Sequence, residues 1–525
     1  MNRREALVAL SGSALLAGRP AWAQSSASID VQLDALVEPF LREFEIPGAC
    51  IGVVTPDRPA IVRGYGVRTL GQSARVDART SFAIASNSKA YLAACLALLV
   101  DEGKLRWDDP VLKHLPEFKM YDAAVTSMMT VCDLLVHRSG LPLGAGDLMQ
   151  FPRTDHTAEE ILRALPHFKP ATGFRAGYAY DNCLYIVAGI LLERVSGLDW
   201  NKFVAQRLFE PLRMTDAVTN VTLVRTENRA GRHGRLGPPV RGMGKVDVVA
   251  ASEGPVVGPA GGINMSVADS IAWLKVQLDR GALPDGRRLW SEAQAAEMWT
   301  PRTLIASGPG PTAELPQQSV MQGYALGWGV SDYRGHRMLS HAGGLAGQVT
   351  RTALLPERGI GLVVYTNSEE NDAVSGLRYA LIDHLLGAPA FDWPNFSRQT
   401  KLRTEAQVRE VIGDGDFKIP PGAASLSLPG YAGRYRDPWY GDVVVRYEAE
   451  QLHIDFTRTV AFRSKLEAFG PDAFRTRFAR GAGEDAVVTF LVEGDRAVGM
   501  VMKALSPLAD FSFDFHDLRF SRIAP

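Results

Sequence analysis

Apolar positions recur along this chain in distinct rhythms, and each rhythm predicts its own kind of element. The segment "GACIGVVTPDRPAIVRGYGVR" (residues 48–68) reads as two strand-like runs around a Pro-Asp turn, a β-hairpin. In "FAIASNSKAYLAACLALLVDEGKL" (residues 82–105), Leu92, Cys95, Leu96 and Leu99 fall three and four apart, the period of an apolar helix face. Helical patterns dominate from Lys89 to about Leu212, with "YDNCLYIVAGILLERVSGL" the clearest. Strand signals return in "HRMLSHAGGLAGQVTRTALLPERGIGLVVYTN", where "LPERGIG" is a turn between two β-rich runs. A helical stretch from about Asp372 to Leu386 follows. A hairpin first, helices in the middle, and a meander with a helix last predict an α+β domain. One antiparallel sheet is built from both ends of that domain, with helices against it.

The pattern changes after Phe391. Residues 391–428 read as a linker whose middle can form a helix and whose end is rich in Pro and Gly. From 429 to 525, "YAGRYRDPWYGDVVVRYEAEQLHIDF" and "AVVTFLVEGDRAVGMVMKAL" alternate apolar and polar residues with turn residues between. This predicts a small all-β barrel, because closure removes exposed strand edges.

Length and composition narrow the class. A chain of 525 residues is long enough for two or three domains. A formal net charge of -1, without basic runs interleaved with aromatics, gives no footprint for nucleic acid. At the N-terminus, Arg3-Arg4, an apolar stretch from Ala6 to Ala17, and Ala21-Trp22-Ala23 before Gln24 follow the order of a cleavable secretory signal over residues 1–23. The paired arginines give it a twin-arginine character, and a periplasmic or secreted protein is expected. No later stretch is apolar over enough length to cross a bilayer, so no stable membrane insertion is expected. Cys50, Cys95, Cys132 and Cys183 are far apart, each in an apolar context, and read as free buried thiols.

The candidate chemistry begins with what is missing. The chain has no GxSxG elbow, no HExxH helix, no GxxxxGK[ST] loop and no GxGxxG after a strand, and its ten histidines form no metal-like cluster. No metal and no cofactor is expected. In Ser86-x-x-Lys89, the lysine lies one helical turn after the serine, so the two side chains can share a face. A serine hydroxyl is a weak nucleophile unless a neighbour takes its proton, and burial can lower a lysine pKa enough to help. Taken singly, this motif is outweighed by a helix N-cap and an exposed lysine. Two further stations shift that balance: Tyr180-Asp181-Asn182 just before a helix, and His341-Ala342-Gly343 on a strand-like run that continues into small residues. His137, Arg138 and Ser139 in "LLVHRSGLP" read as structural residues of a loop ending at Gly140.

The order and separation of these three stations resemble the serine β-lactamase and penicillin-binding-protein superfamily, in its class C-like branch. "LLVHRSGLP", "GPAGGINMSVADSIAWL" and "LVVYTN" add to the likeness, which covers about Ala35 to Leu386. The resemblance implies a β-lactamase/DD-peptidase-like hydrolase domain over residues 28–390. It implies that Ser86 is acylated and that Lys89 and Tyr180 share its proton, with Tyr180 as a phenolate base. It implies substrate binding by Asn182, His341, Gly343 and Gly344, with the backbone N–H groups of Ser86 and Gly344 forming an oxyanion hole. The C-terminal module resembles the lipocalin-like domain behind some β-lactamase-related peptidases. True class C β-lactamases carry lysine where this chain has His341, and a histidine supplies less positive charge at pH 7. The resemblance therefore favours a hydrolase of small amides or esters, D-amino-acid peptides and amides first. A carboxylesterase with weak β-lactamase activity and a penicillin- or peptidoglycan-binding receptor are the alternatives. The expected partner is a small molecule or short peptide, and a homo-oligomer is compatible with the chain.

Overall fold

The structure, a computed structural model, describes residues 29–413, 417–481 and 483–524. The leader expected over residues 1–23 lies outside the described residues. Helix α1 (Ile29–Glu43) leads into the hairpin β1 (Gly48–Thr55) and β2 (Arg58–Gly66). A short β3 (Phe82–Ala83) precedes α2 (Ser88–Asp101), and α3 (Cys183–Ser196) is the second long helix of the helical region. The ribbon β4 (His233–Arg235) and β5 (Val246–Val248) follows, then β6 (Asn264–Met265), which pairs back on β3, and α4 (Val267–Leu278). Strands β7 (Thr303–Ile305), β8 (Gln322–Tyr324), β9 (Gly329–Tyr333), β10 (His336–Leu345), β11 (Gln348–Leu355) and β12 (Ile360–Thr366) lead to α5 (Asn371–Leu386) and α6 (Trp393–Ile412).

The main sheet has the order β2-β1-β12-β11-β10-β9-β8-β7. Its centre joins the two ends of the domain, since β1 pairs antiparallel with β12 from Ala49 opposite Thr366 to Val54 opposite Gly361. The burial pattern explains why. Every residue of β11 and β12 is buried, so these strands need helices on both faces. Helices α1 and α5 pack on one face around Phe40, Ile51, Val364 and Leu377. Helix α4 packs on β1 and β12 on the other.

Helix α2 is buried from Ser88 to Leu99, on all sides rather than along the single apolar face that its leucine spacing suggests. Small residues Ala90, Ala93, Ala94 and Ala97 fill the remaining positions and let neighbouring elements approach closely. All four cysteines are free and buried. Burial pushes the Cys50 thiol up to about 12 and Cys132 up to about 11.

The stretch expected as a linker over 391–428 begins with the twenty-residue α6, which packs on α5 and belongs physically to the domain of the main sheet. Trp393 donates its indole N–H to Asp383 Oδ2 at 3.0 Å and stacks on Tyr379 with ring centroids 5.0 Å apart. Its mixed polar sequence conceals this, because the anchor is one buried aromatic at the helix start. Beyond it, eight antiparallel strands from Gly433–Asp437 to Arg519–Ile523 close into a barrel, each pairing with the next and the last with the first. Phe456, Phe462, Phe478 and Phe520 fill its interior. No helix among the described residues is long and apolar enough to cross a membrane.

The thiols give a direct check of this packing. With thiol-reactive reagents at pH 8, the native protein is expected to show no fast-reacting cysteine, because none is exposed and the thiolate form is suppressed. Denaturant should release all four per chain. A thiol reacting at its unfolded rate in the native protein would contradict the packing around α2 and α3.

Candidate active site

Ser86 lies in a single turn of 3-10 helix, Ala85–Asn87, just before α2. The residue before it, Ala85, is left-handed at φ 50°, a conformation that costs a non-glycine residue energy and turns the chain sharply. The polar run at the mouth of α2 caps nothing: Asn87, at the N-cap, makes no side-chain cap bond. Each residue has another task instead. Asn87 Nδ2 donates to Thr350 Oγ1 at 2.9 Å, and Ser88 Oγ donates to Ala85 O at 2.7 Å. Ser88 Oγ also accepts from Ile263 N at 3.1 Å. The turn carrying Ser86 is thereby tied to the sheet and to the segment before α4.

Lys89 is 0 % exposed. Its Nζ lies 3.2 Å from Ser86 Oγ, 2.6 Å from Asn182 Oδ1 and 2.8 Å from Ala260 O. Two of these partners are carbonyl oxygens, which can only accept. A neutral amine has two N–H groups for them and keeps a lone pair for the Ser86 hydroxyl. Burial lowers the Lys89 pKa to about 7, against the opposing pull of Asp147 and Asp181, so this neutral form is well populated near pH 7.

The second station is built by the entry to α3. Asp181 Oδ1 accepts from Leu184 N at 3.0 Å and so caps the helix. That leaves the Asn182 side chain free. Its Nδ2 donates to Asp147 Oδ2 at 2.9 Å, which orients Oδ1 toward Lys89. Tyr180 packs under the lysine, whose Nζ is 4.7 Å from the ring centroid. His137, left-handed at φ 54°, lies against Tyr180 at 4.2 Å between ring centroids, so it positions that ring as a structural residue. The expected phenolate is corrected here. Burial pushes the Tyr180 hydroxyl well above its usual range. Tyr180 Oη is buried and has no hydrogen-bond partner. An anion there would be buried with no hydrogen bond to replace water, so Tyr180 rests as the phenol.

The third station lies on β10. Strand β9 pairs with β10 only as far as Ser340, so residues 341–345 keep β11 on one side and an open edge on the other. His341 Nδ1 lies 2.6 Å from Ala342 O and therefore donates to it, while Nε2 lies 2.7 Å from Tyr324 Oη and accepts. Burial, with Lys89 adding to it, lowers the His341 pKa to about 3, so the ring is neutral at pH 7. Gly343 has a packing role: a Cβ there would lie 2.2 Å from Ile84 O and 2.5 Å from Thr350 Oγ1. The glycine lets β10 press against the turn that carries Ser86. A Cβ at Gly344 would meet nothing within 4 Å, in keeping with a position on the open side.

Three participants escaped sequence reasoning. Asp147 lies in a loop with no readable code, Tyr324 is one of many aromatics, and Ala260 acts through its backbone carbonyl. Of these, only Ala260 left a trace, inside the family-like phrase "GPAGGIN".

A serine backed by a buried lysine and tyrosine lies at the junction of an antiparallel sheet and a helical region, the arrangement of a serine hydrolase. The chain belongs to the β-lactamase family, whose profile matches residues 33–386. A second profile, described as a domain of unknown function (DUF3471), matches residues 418–522. Among curated proteins, the chain is 27% identical over 513 residues to the Unguisins hydrolase ungD of Aspergillus violaceofuscus, covering 92% of this chain and 87% of that one. The octameric penicillin-binding protein homologue from Pyrococcus abyssi superposes with a TM-score of 0.59 at 19% identity, over 94% of this chain and 99% of that one. The D-amino acid amidase from Ochrobactrum anthropi SV3 superposes with a TM-score of 0.54 at 20% identity, over 68% of this chain and 97% of that one.

The orphaned Tyr180 hydroxyl separates stability from activity. Tyr180→Phe removes a buried, unpaired polar group and is expected to stabilise the fold by about 1 kcal/mol. Turnover should fall by roughly 100-fold, the contribution typical of a proton-transfer group. Denaturation midpoints and steady-state kinetics on one preparation check both. A destabilised but fully active variant would refute the assignment.

Proposed function

We propose that this chain is an exported hydrolase that cleaves small amides and esters through an acyl-enzyme on Ser86, with D-amino-acid peptides and amides preferred. The observation that carries the catalytic reading is the hydrogen-bond set of Lys89, with two carbonyl acceptors and one hydroxyl. Ser86 Oγ attacks the carbonyl carbon as its proton passes to the Lys89 lone pair. The oxygen that gains charge is held by the backbone N–H groups of Ser86 and Gly344, an arrangement worth about 3 kcal/mol or more per donor. As the carbon–nitrogen or carbon–oxygen bond breaks, the departing group takes a proton from Tyr180, which regains one from Lys89. A water molecule then attacks the ester by the same route in reverse, freeing the acid and Ser86. Lysine and tyrosine exchange one proton, so the pH dependence belongs to the pair.

Substrate class follows from the third station. His341 is neutral, with its N–H committed to Ala342 and its other nitrogen to Tyr324. No cation faces a substrate carboxylate from that strand, which favours uncharged amides and esters over β-lactams. The D-preference rests on the H-x-G resemblance and on the named activity of the amidase that shares the fold. Export rests on the arginine-paired leader sequence.

Purified protein, with and without Ser86→Ala, should be compared on D-alanyl and L-alanyl anilides and a short-chain nitrophenyl ester. Wild-type turnover that falls roughly 10^4-fold or more in Ser86→Ala is expected, with the D-anilide cleaved faster than the L-form. Cleavage of the ester alone would make the protein an esterase. Acylation without turnover would make it a receptor.

The pH profile carries its own sign. The base must be neutral, and Lys89 is lowered to about 7, so kcat/KM should fall as pH drops below about 7. Tyr180 is raised above its usual range, so no alkaline loss from that group is expected up to pH 10. A rate that rises on acidification would overturn the lysine base.

A further inference from the structure

The loop that locks Asn182 is itself held by the other domain. Asp147 accepts from Asn182 Nδ2 at 2.9 Å and from Gln150 Nε2 at 3.1 Å. Its remaining donor comes from the C-terminal barrel, where Ser512 Oγ donates to Asp147 Oδ2 at 2.8 Å. Two residues further on, the fully buried Asp514 grips the backbone on either side of Asp147. It accepts from Gly146 N at 2.8 Å and from Leu148 N at 3.0 Å. The grip needs Gly146, which is left-handed at φ 75° and where a Cβ would lie 2.4 Å from the Phe168 ring. Phe511 of the same barrel segment lies edge-on to Tyr180, with ring centroids 5.8 Å apart. Elsewhere the two domains are clamped by Arg458, whose Nη2 lies 2.8 Å from Glu160 Oε2 and whose Nε pairs with Asp155.

We propose that Ser512 and Asp514 of the barrel are positioning residues for catalysis, holding Asp147 so that Asn182 presents its carbonyl oxygen to Lys89. The chain of contacts is unbroken: Ser512 to Asp147, Asp147 to Asn182, Asn182 to Lys89, Lys89 to Ser86. An asparagine amide presents an acceptor or a donor depending on a half-turn of its plane. A donor facing Lys89 would displace one of its two carbonyl partners and leave the lone pair misdirected. Asp147, 0 % exposed, prevents that half-turn, and an aspartate so buried stays in place only with its donors supplied. The barrel is thus part of the active site, and the hydrolase domain without it has a loosened lysine. This inference rests on Ser86 and Lys89 acting as proposed above.

The ionisable groups facing Lys89 are Tyr180, Tyr185, Asp147, Asp181, His137 and His341. Asp147 is faced by Lys89, Tyr180 and Cys183 and, from the barrel, by Asp510 and Asp514. Its pKa is raised to about 7 by burial, and the Ser512 hydroxyl opposes that rise. Removing the hydroxyl makes Asp147 less negative. Lys89 then loses part of a pull that raises its pKa, and the acid limb of activity moves to lower pH.

The test uses the full-length chain carrying Ser512→Ala, Ser512→Thr or Asp514→Asn, with thermal melts to establish folding. Turnover of a nitrophenyl ester and the rate of Ser86 modification by a fluorophosphonate are each followed against pH. Fluorophosphonate reaction displaces fluoride from phosphorus as Ser86 loses its proton, so it reports activation of the serine without deacylation. Ser512→Ala should lower kcat about tenfold, the worth of one hydrogen bond to a charged group, with KM within twofold. The acid limbs of kcat/KM and of labelling should both move to lower pH, and Ser512→Thr, which keeps the hydroxyl, should restore them. If Ser512→Ala fails to fold, Asp514→Asn is read on kcat and KM alone. One amide oxygen cannot replace both carboxylate oxygens on Gly146 N and Leu148 N, so kcat should fall with KM held, and an unchanged kcat would overturn the inference. Wild-type kinetics in Ser512→Ala, or a fall in kcat with neither limb moved nor threonine rescue, would overturn the inference and leave the proposed function standing. A wild type that labels but does not turn over would overturn hydrolysis, and labelling alone would then decide the inference. A wild type that neither labels nor turns over overturns both.

Discussion

The burial of one amine organises the active site. A lysine head group removed from water must surrender its proton or find several acceptors, and Lys89 has two carbonyl oxygens and one hydroxyl. Each partner places a demand on a different part of the chain. Ala260 requires the turn before α4 to bring a backbone carbonyl inward. Asn182 requires its amide to face one way, which requires Asp147, and the capping of α3 passes to Asp181 so that Asn182 is free. Ser86 requires a left-handed residue before it so that the hydroxyl faces the amine from outside the helix.

The strand side of the cleft obeys a steric constraint in place of an electrostatic one. Strand β10 runs so close to the turn carrying Ser86 that Gly343 has no room for a side chain. That approach brings the open edge of β10 against the turn that carries Ser86. His341 contributes a neutral ring fixed between Ala342 and Tyr324. The strand side of the cleft therefore offers a neutral ring rather than a cation.

The barrel would be a simple appendage if its interior were all it offered. That interior is filled by aromatic side chains and forms part of a continuous hydrophobic core with the helical region. Its outward loops carry the interdomain contacts instead, with Arg458 near one end and Phe511 to Asp514 near Tyr180 and Asp147. Buried carboxylates at a domain junction disfavour loose association, because separation would leave each domain's polar groups without their partners. The two domains thus share one site.

Local patterning determined the elements. The hairpin of residues 48–68, the meander of β10 to β12 and helix α5 are legible because alternation and the 3.6-residue period reflect which side chains face the core. The three stations were legible only together, since the order of Ser86-x-x-Lys89, Tyr180-Asp181-Asn182 and His341-Ala342-Gly343 resembles a known family where each motif alone reads as a cap or a surface residue. Tertiary structure decided what those residues are chemically. Tyr180 reads as a phenolate base until its burial without a hydrogen-bond partner makes it a phenol, and the tight packing at Gly343 appears only once Ile84 is beside it. Asp147, Ser512 and Asp514 carry no motif because their meaning is contact across more than 350 residues of chain. Periodicity records which way a residue faces within its own element, whereas a pKa, an amide's orientation or a shared carboxylate depends on what the fold brings to the other side.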